Sequence, residues 1–175
     1  MKRVYIAVAA AVVLAIAGAE SRADDDLFEF QGELTGAQEV TTPAGGIATP
    51  ATGSCEVEFD EGLTKVRVRL RVRDTIGDVT RAHFHCGRPG QNGPIAFGLF
   101  DPGPCDFDNG RTSCTLTNAD LTDVNNGCAG ANNVGRPVSN IAALLFAMRD
   151  GLVYCNVHTT EFPGGEVRGQ MLPDE

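Results

Sequence analysis

The chain is poor in basic residues and in segments that could cross a membrane. Among its 175 residues, 14 are lysine or arginine and 23 are aspartate or glutamate, which gives a formal net charge of −9 at pH 7. This shortage of positive charge argues against nucleic acid and anionic lipid as partners. After the first 23 residues, no run is apolar enough to cross a bilayer, which needs about 20 residues. We therefore expect no membrane span in the mature chain.

The first 23 residues have the features of a signal peptide. Two basic residues give a positive start, the stretch 4–19 is apolar, and Ser-Arg-Ala at 21–23 has the small-x-Ala pattern of a cleavage site. Cleavage after Ala19 is an alternative, and so is a retained membrane anchor, for which the apolar run is short. We predict cleavage after Ala23, export to the periplasm or the extracellular space, and one domain over 24–175.

The six cysteines form an even set, which in an exported chain is typical of a disulfide framework. Their spacing alone does not choose among the possible pairings. The set comprises Cys55, Cys86, Cys105, Cys114, Cys128 and Cys155.

Most of the chain alternates between apolar and polar residues, with Gly, Pro, Asn and Asp between the alternating runs. The clearest run is 64–73, where four apolar residues from Val66 to Val72 alternate with lysine and arginine. A helix would scatter both sets around its circumference, so the pattern predicts a half-buried strand. Strands are predicted in this way at 28–34, 55–59, 64–73, 79–86, 94–100, 152–158 and 166–172.

The strands 55–59 and 64–73 are predicted to pair as a hairpin. Placing Val57 opposite Val66 and Glu58 opposite Lys65 gives one apolar face and one face of opposite charges. The stripe of positive charge could bind an anionic polymer. The favoured interpretation is a solvated strand face that is partly neutralised by the glutamates.

One segment has helical spacing. At 139–151, Ser139 is the predicted N-cap and Gly151 the predicted stop, with apolar residues at helical intervals between them. The stretch 101–136 is predicted to be a long loop region stapled by disulfides, with a short helical turn at 118–124. Many short antiparallel strands and one late helix predict an all-β fold, an antiparallel Greek-key sandwich or barrel.

The three histidines lie on two of the predicted strands. His83 and His85 project from the same face of their strand, because side chains two apart share a face. By the same rule His158 shares a face with Tyr154 and Asn156.

The opposite faces of these two strands carry Cys86 and Cys155. If the strands are neighbours, a bridge between these two cysteines would lie on the core side and all three histidines on the outer side. We therefore predict a Cys86–Cys155 disulfide.

A final hairpin places further polar residues beside His158. Pairing His158 with Glu166 also pairs Asn156 with Arg168, and the other face then stays largely apolar. In this register Glu166 could accept the second N–H of the His158 ring and orient it. Asn156 and Arg168 are predicted to join this outer layer around the histidines. Arg168 could attract a small anion there, but an ion pair with Glu166 or with another exposed acid is its more ordinary role.

Three imidazoles on rigid strands suit a copper or zinc ion. His83 and His85 offer two nitrogens from one face, His158 closes the triangle, and a fourth position stays open for water or a small ligand. The alternative is that the first two histidines are ordinary hydrogen-bonding groups and that His158 only pairs with Glu166.

Three stretches of the chain resemble the CHRD domain family. They are LTGAQEV at 34–40, AHFHCGRPGQNGPIAFGLF at 82–100 and LVYCNVHTTEFPGGEVRGQM at 152–171, and the resemblance spans about residues 28–172. The resemblance implies an extracytoplasmic all-β module. Such modules occur in chordin, where they act through protein binding, and they occur alone in exported bacterial proteins. The extra cysteines within 101–136 depart from that pattern.

A His-x-His pair on a strand near a cysteine is also loosely similar to the site of copper-zinc superoxide dismutase, although three histidines do not supply the ligands for a two-metal site. The leading interpretation is an exported domain that binds copper or zinc for holding, delivery or sensing. The alternatives are a metal-free module that binds another extracytoplasmic protein or an envelope polymer, and a redox enzyme.

Overall fold

The computed structural model describes residues 28–101, 103–121, 127–130 and 135–174. The predicted signal peptide at 1–23 and the first residues of the predicted domain lie outside these ranges. Nine strands and one α-helix follow each other along the described chain. They are β1 (Glu29–Thr35), β2 (Thr52–Phe59), β3 (Lys65–Arg73), β4 (Val79–Cys86), β5 (Ile95–Phe100), β6 (Arg111–Thr117), α1 (Ile141–Arg149), β7 (Val153–Thr159), β8 (Val167–Gln170) and β9 (Leu172–Pro173).

The strands form one antiparallel sheet that curls into a half-barrel, in the order β5-β4-β7-β8-β1-β2-β3-β6, with β9 paired to β1. The predicted all-β antiparallel fold with one helix is confirmed. Alternation determines which face turns inward: on β3, every second residue from Val66 to Val72 is buried and the residues between them are not. The helix α1 packs against β7 and β9.

The β2–β3 hairpin has the predicted faces but a different register. Phe59 pairs with Val66 and Val57 with Val68, which is two residues from the predicted alignment. The carboxylate of Asp60 accepts hydrogen bonds from the backbone N–H groups of Thr64 and Lys65, at 2.8 and 2.6 Å. These bonds hold the turn in the observed register. A shift of two residues keeps every side chain on its face, so the alternation could not reveal it.

The basic stripe of β3 is neutralised across this hairpin. Arg67 pairs with Glu58 at 3.1 Å, and Arg69 lies within 3.8 Å of both Glu56 and Glu58. These pairs are exposed and contribute little stability. They neutralise part of the stripe, and its role as a binding face stays a prediction.

Helix α1 ends as predicted and begins one residue later. Asn140, and not Ser139, accepts the N–H of Ala143 at 2.8 Å and caps the helix. Gly151 has φ of 66° and donates its N–H to the Met148 carbonyl, so it is the stop that the sequence indicated. No helix in the described ranges has the length and apolar character needed to cross a bilayer.

The region 101–136 contains a strand that the sequence analysis missed. β6 pairs with β3 and places Leu116 in the core opposite Val66. Its run Arg-Thr-Ser-Cys-Thr-Leu-Thr has only one large apolar residue, which gives a weak alternation signal. A disulfide joins Cys105 to Cys114. Of the helical turn expected at 118–124, residues 118–120 form a 3₁₀ turn and 122–126 lie outside the described ranges.

Candidate metal centre

The strands β4 and β7 are neighbours and carry all three histidines. Their register places His83 opposite Asn156, His85 opposite Tyr154 and Arg81 opposite His158. These side chains therefore project from the same face of the sheet, away from the hydrophobic core. The predicted adjacency of the two strands and the shared face of the histidines are both found.

Every residue of β7 is buried, on both of its faces. Val153, Cys155 and Val157 belong to the hydrophobic core, whereas the outer face carries polar side chains that are covered by loops. His158 is 7% exposed and His83 is 2% exposed. A polar layer that has lost water in this way costs free energy unless its atoms find partners, so each partner is informative.

The three imidazole rings form one compact cluster. The ring centroids of His83 and His158 are 5.1 Å apart, those of His83 and His85 are 5.5 Å apart, and those of His85 and His158 are 6.2 Å apart. One ring nitrogen from each lies within 4.8 Å of the others. The side chains that the sequence singled out as ligands are therefore close enough to face one ion.

Backbone carbonyls determine the tautomer of two rings. Nδ1 of His85 lies 2.9 Å from the Gly93 carbonyl oxygen, and Nδ1 of His158 lies 3.0 Å from that of Pro163. A carbonyl can only accept, so each Nδ1 carries the hydrogen and each Nε2 keeps a free lone pair. Because Nε2 of His158 is therefore unprotonated, Nδ1 of His83 donates the hydrogen bond to it, at 3.3 Å.

Burial keeps these rings neutral. Loss of hydration is the main cause that lowers the pKa of His83 to about 3 and that of His85 to about 4, and it also lowers the pKa of His158. The neighbouring positive charges of the cluster and of Arg81 add to the effect at His83. Neutral imidazole is the form that binds a metal ion.

Two ring nitrogens of the cluster lack any partner. Within the described chain, Nε2 of His83 and Nε2 of His85 are buried and make no hydrogen bond. Buried polar atoms are nearly always satisfied, so these two lone pairs are open to a partner such as a metal ion.

The loop 87–93 holds His85 in place and is itself held by Arg168. The Arg168 guanidinium donates to the carbonyls of Arg88 and Gln91, at 3.1 and 2.8 Å, and to the Asn92 side chain at 3.2 Å. At its far end the loop presents the Gly93 carbonyl to His85. Arg168 thus positions a candidate ligand through the loop backbone.

The family model of the CHRD domain matches residues 30–171. The chain belongs to the CHRD domain family. No protein with a curated description and no solved structure matches it significantly. The looser resemblance to copper-zinc superoxide dismutase finds no support in these comparisons.

The outer layer of this CHRD domain differs from the predicted one at Glu166. Its carboxylate accepts from the Thr49 hydroxyl at 2.5 Å and from the Ile76 N–H at 2.9 Å. The expectation that Glu166 orients His158 is therefore corrected: the loop 160–165 folds back and brings the Pro163 carbonyl to the ring. Glu166, the residue before β8, instead links the loops that contain Thr49 and Ile76 to the β7–β8 hairpin.

Asn156 and Arg168 lie in the buried outer layer, but neither bonds to a histidine. Asn156 donates to the Glu39 carboxylate at 2.5 Å and to the Val167 carbonyl at 3.0 Å. Arg168 is 1% exposed and makes no ion pair within the described chain, so the expected pairing with Glu166 is wrong. Burial raises the pKa of Glu39 to about 7, against the lowering effects of Asn156 and Arg168.

The disulfide beside the histidines also differs from the predicted one. Cys86 bonds to Cys128 and not to Cys155. Both Cys86 and Cys155 do lie on the core side, as their parity required. Cys86 pairs with Val153 and Cys155 with Phe84, so the two cysteines are not opposite each other, and Cys128 reaches Cys86 from outside the sheet.

Sequence reasoning missed the loop atoms that orient the rings, namely the carbonyls of Gly93 and Pro163. Backbone carbonyls have no residue signature, so only the run of glycine and proline near each histidine hints at them. Tyr154 was recognised as sharing the face of His158, but not its parallel stacking on His85 at 4.9 Å between centroids.

Proposed function

We propose that this CHRD domain is exported and binds one copper or zinc ion through His83, His85 and His158, in order to hold, deliver or sense the metal. The observation that carries the proposal is the pair of buried, unpartnered Nε2 atoms on His83 and His85. A purely structural histidine cluster would satisfy its nitrogens by hydrogen bonds. A metal ion is the partner that accepts several imidazole lone pairs at once.

The chemistry of the donor set supports this proposal. Imidazole suits both copper and zinc, and His85 and His158 have their Nδ1–H fixed by carbonyls, as the outer partners of metal-bound histidines generally are. Three protein ligands leave a coordination position open. Copper would be held more tightly than zinc by such a nitrogen site.

Metal analysis of protein purified without an affinity tag tests the proposal. We expect one copper or zinc ion per chain after incubation with the metal and gel filtration, and loss of that ion in His85→Ala. Glu58→Gln is the matched control, because it removes an exposed carboxylate on the outer face of β2 and should leave the metal in place. Wild-type protein without metal would favour a metal-free interaction module, and retention of the metal in His85→Ala would show that the ion is not bound by the three histidines.

Export is tested separately on the mature protein. We expect an N-terminus at Asp24, or at Glu20 if cleavage follows Ala19, in protein recovered from outside the cytoplasm. Intact mass and N-terminal sequencing decide between the two sites. An unprocessed N-terminus would contradict export by a cleaved signal peptide.

A further inference from the structure

Arg81 lies beside the histidine cluster with its positive charge uncompensated. It is exposed, it shares a strand face with His83 and it pairs directly with His158 across the β4–β7 ladder. Within the described residues, no carboxylate or hydrogen-bond acceptor contacts its guanidinium. By contrast, Arg67 and Arg69 on β3 both pair with glutamates.

The charge of Arg81 is close enough to affect the cluster. It lies two residues from His83 on the same face of β4 and directly opposite His158 on β7. Within the described chain this guanidinium has no partner, although it lies beside His83 and His158, so its charge is available to a ligand. Its five N–H donors are suited to an anion.

We propose that Arg81 and the metal ion together form a two-point site for a small inorganic anion, a step that rests on the proposed metal function. Three neutral imidazoles leave the full charge of a divalent ion uncompensated, so an anion is favoured at its open position. One acceptor atom of the anion would bind the metal and another would accept from the Arg81 guanidinium. The site would therefore prefer anions with two acceptor ends over water.

Azide binding to the copper(II)-loaded protein tests this proposal. Azide gives a charge-transfer absorption band when it binds copper(II), and its affinity is read from a titration at fixed ionic strength. We expect Arg81→Gln to weaken azide binding by roughly tenfold, because a charge-assisted hydrogen bond is lost. Arg73→Gln is the control, since it removes the same charge from an exposed position on β3, four strands from β7.

The outcomes separate this proposal from the one on which it rests. If wild-type protein and Arg81→Gln bind copper equally and azide equally, the anion role of Arg81 is wrong and the metal site stands. If Arg73→Gln weakens azide as much as Arg81→Gln does, the effect is one of net charge and the two-point site is also wrong. If the wild type binds no copper, the proposed function fails and this inference fails with it.

A second and independent observation concerns the two cysteines outside the disulfides, Cys55 on β2 and Cys155 on β7. Both are completely buried in the same hydrophobic core. Although β2 and β7 are not adjacent in the sheet, Cys55 pairs with Gly32 on β1 and Cys155 pairs with Gly169 on β8. These two glycines are close neighbours, because a Cβ on Gly32 would lie 3.4 Å from the Gly169 carbonyl oxygen, so no large side chain separates the two cysteines. The other four cysteines already form two bridges.

We infer that Cys55 and Cys155 form a third disulfide across the half-barrel when the protein matures in an oxidising compartment. The two thiols lose two protons and two electrons, and the S–S bond forms by exchange with the disulfide of a thiol oxidoreductase, which leaves as a dithiol. Burial and the neighbouring thiol raise the pKa of Cys55 well above its usual value. Because the thiolate is the reactive form, this bond must form before the core closes.

Peptide mapping of the exported protein tests the third bridge. The protein is unfolded in the presence of iodoacetamide without reductant and then digested. We expect no alkylation at either cysteine and a linked peptide pair that contains both. Alkylation of Cys55 and Cys155, or linkage of either one to a different cysteine, would overturn the inference. Protein reduced before alkylation is the control that shows both sites can be detected.

Discussion

The guanidinium carbon of Arg168 lies 3.4 Å from the centroid of the Tyr154 ring. Arg168 approaches from β8, whereas His85, on β4, stacks on the same ring at an interplanar angle of 6°. The Tyr154 hydroxyl also accepts the Gly93 N–H at 3.1 Å. Arg168 therefore supports His85 by two routes, through the tyrosine ring and through the loop 87–93.

Replacing Arg168 with lysine should weaken metal binding. Lysine keeps the charge but cannot reproduce the bonds of the guanidinium to the Arg88 and Gln91 carbonyls and to Asn92. We expect a 10- to 100-fold lower copper affinity, about the effect of losing an outer partner at a metal site, measured by competition with a chelator. Arg69→Lys on the exposed face of β3 is the control. Unchanged affinity in Arg168→Lys would show that the loop does not orient His85.

The metal-free protein should lose stability on acidification. His83 and His85 have pKa values of about 3 and about 4 in the folded protein, against 6.5 for an ordinary histidine. Below pH 6.5 the unfolded chain binds protons at these sites that the folded chain does not, so the free energy of unfolding falls as the pH drops from about 6.5 towards 4.

Urea unfolding at several pH values between 7.5 and 4 measures this dependence. The pKa of His158 is lowered as well. His83→Gln removes one of these three groups, so its stability should fall less steeply with acidification than that of the wild type. Equal slopes in the two proteins would contradict the neutral, buried state of His83. Carboxylates elsewhere contribute equally to both slopes.

Glu39 should have the opposite effect at higher pH. Its pKa of about 7 lies above the ordinary value of 4.5, so its contribution to stability is full below pH 4.5 and is lost as the pH rises through 7. Glu39→Gln is neutral at every pH and can still accept from Asn156. We expect this variant to lose less stability than the wild type between pH 5.5 and 8 in urea unfolding. An equal change of stability in the wild type and the variant over this range would rule out a raised pKa of Glu39.

The two disulfides should differ in their contribution to stability. The Cys86–Cys128 bridge closes a separation of 42 residues and the Cys105–Cys114 bridge closes one of 9. Loop-closure entropy predicts losses of roughly 4 and roughly 2.5 kcal/mol when each is removed. Double serine variants, compared by urea unfolding, test this order. A larger loss for the Cys105–Cys114 pair would contradict it.

The sequence identified the ligand strands because strand parity is a local property. Alternation alone placed His83 and His85 on one face, and the β7–β8 register, with Asn156 opposite Arg168, followed from matching both faces of a short hairpin. The same reasoning failed for the β2–β3 register, because the cap formed by Asp60 changes the turn without changing either face.

Features that depend on the path of loops could not be predicted. Cys86 has the parity required for a bridge to β7, yet its partner Cys128 comes from the long connection before α1. Glu166 lies next to His158 along the hairpin, but Thr49 and Ile76 approach it from remote loops and take its carboxylate. Tertiary packing determines which of several nearby groups bonds to a given side chain.

The ligands stand on two strands of a single hydrogen-bonded ladder, and this arrangement has a kinetic consequence. Because β4 and β7 are hydrogen-bonded to each other, they cannot separate as rigid bodies to release an ion that the three histidines would bind. Exchange must instead wait for the loops at 87–93 and 160–165 to lift, since their carbonyls at Gly93 and Pro163 fix the rings. The residence time of a bound metal would then be governed by how often these loops open, and a partner that accepts the ion would have to engage them first.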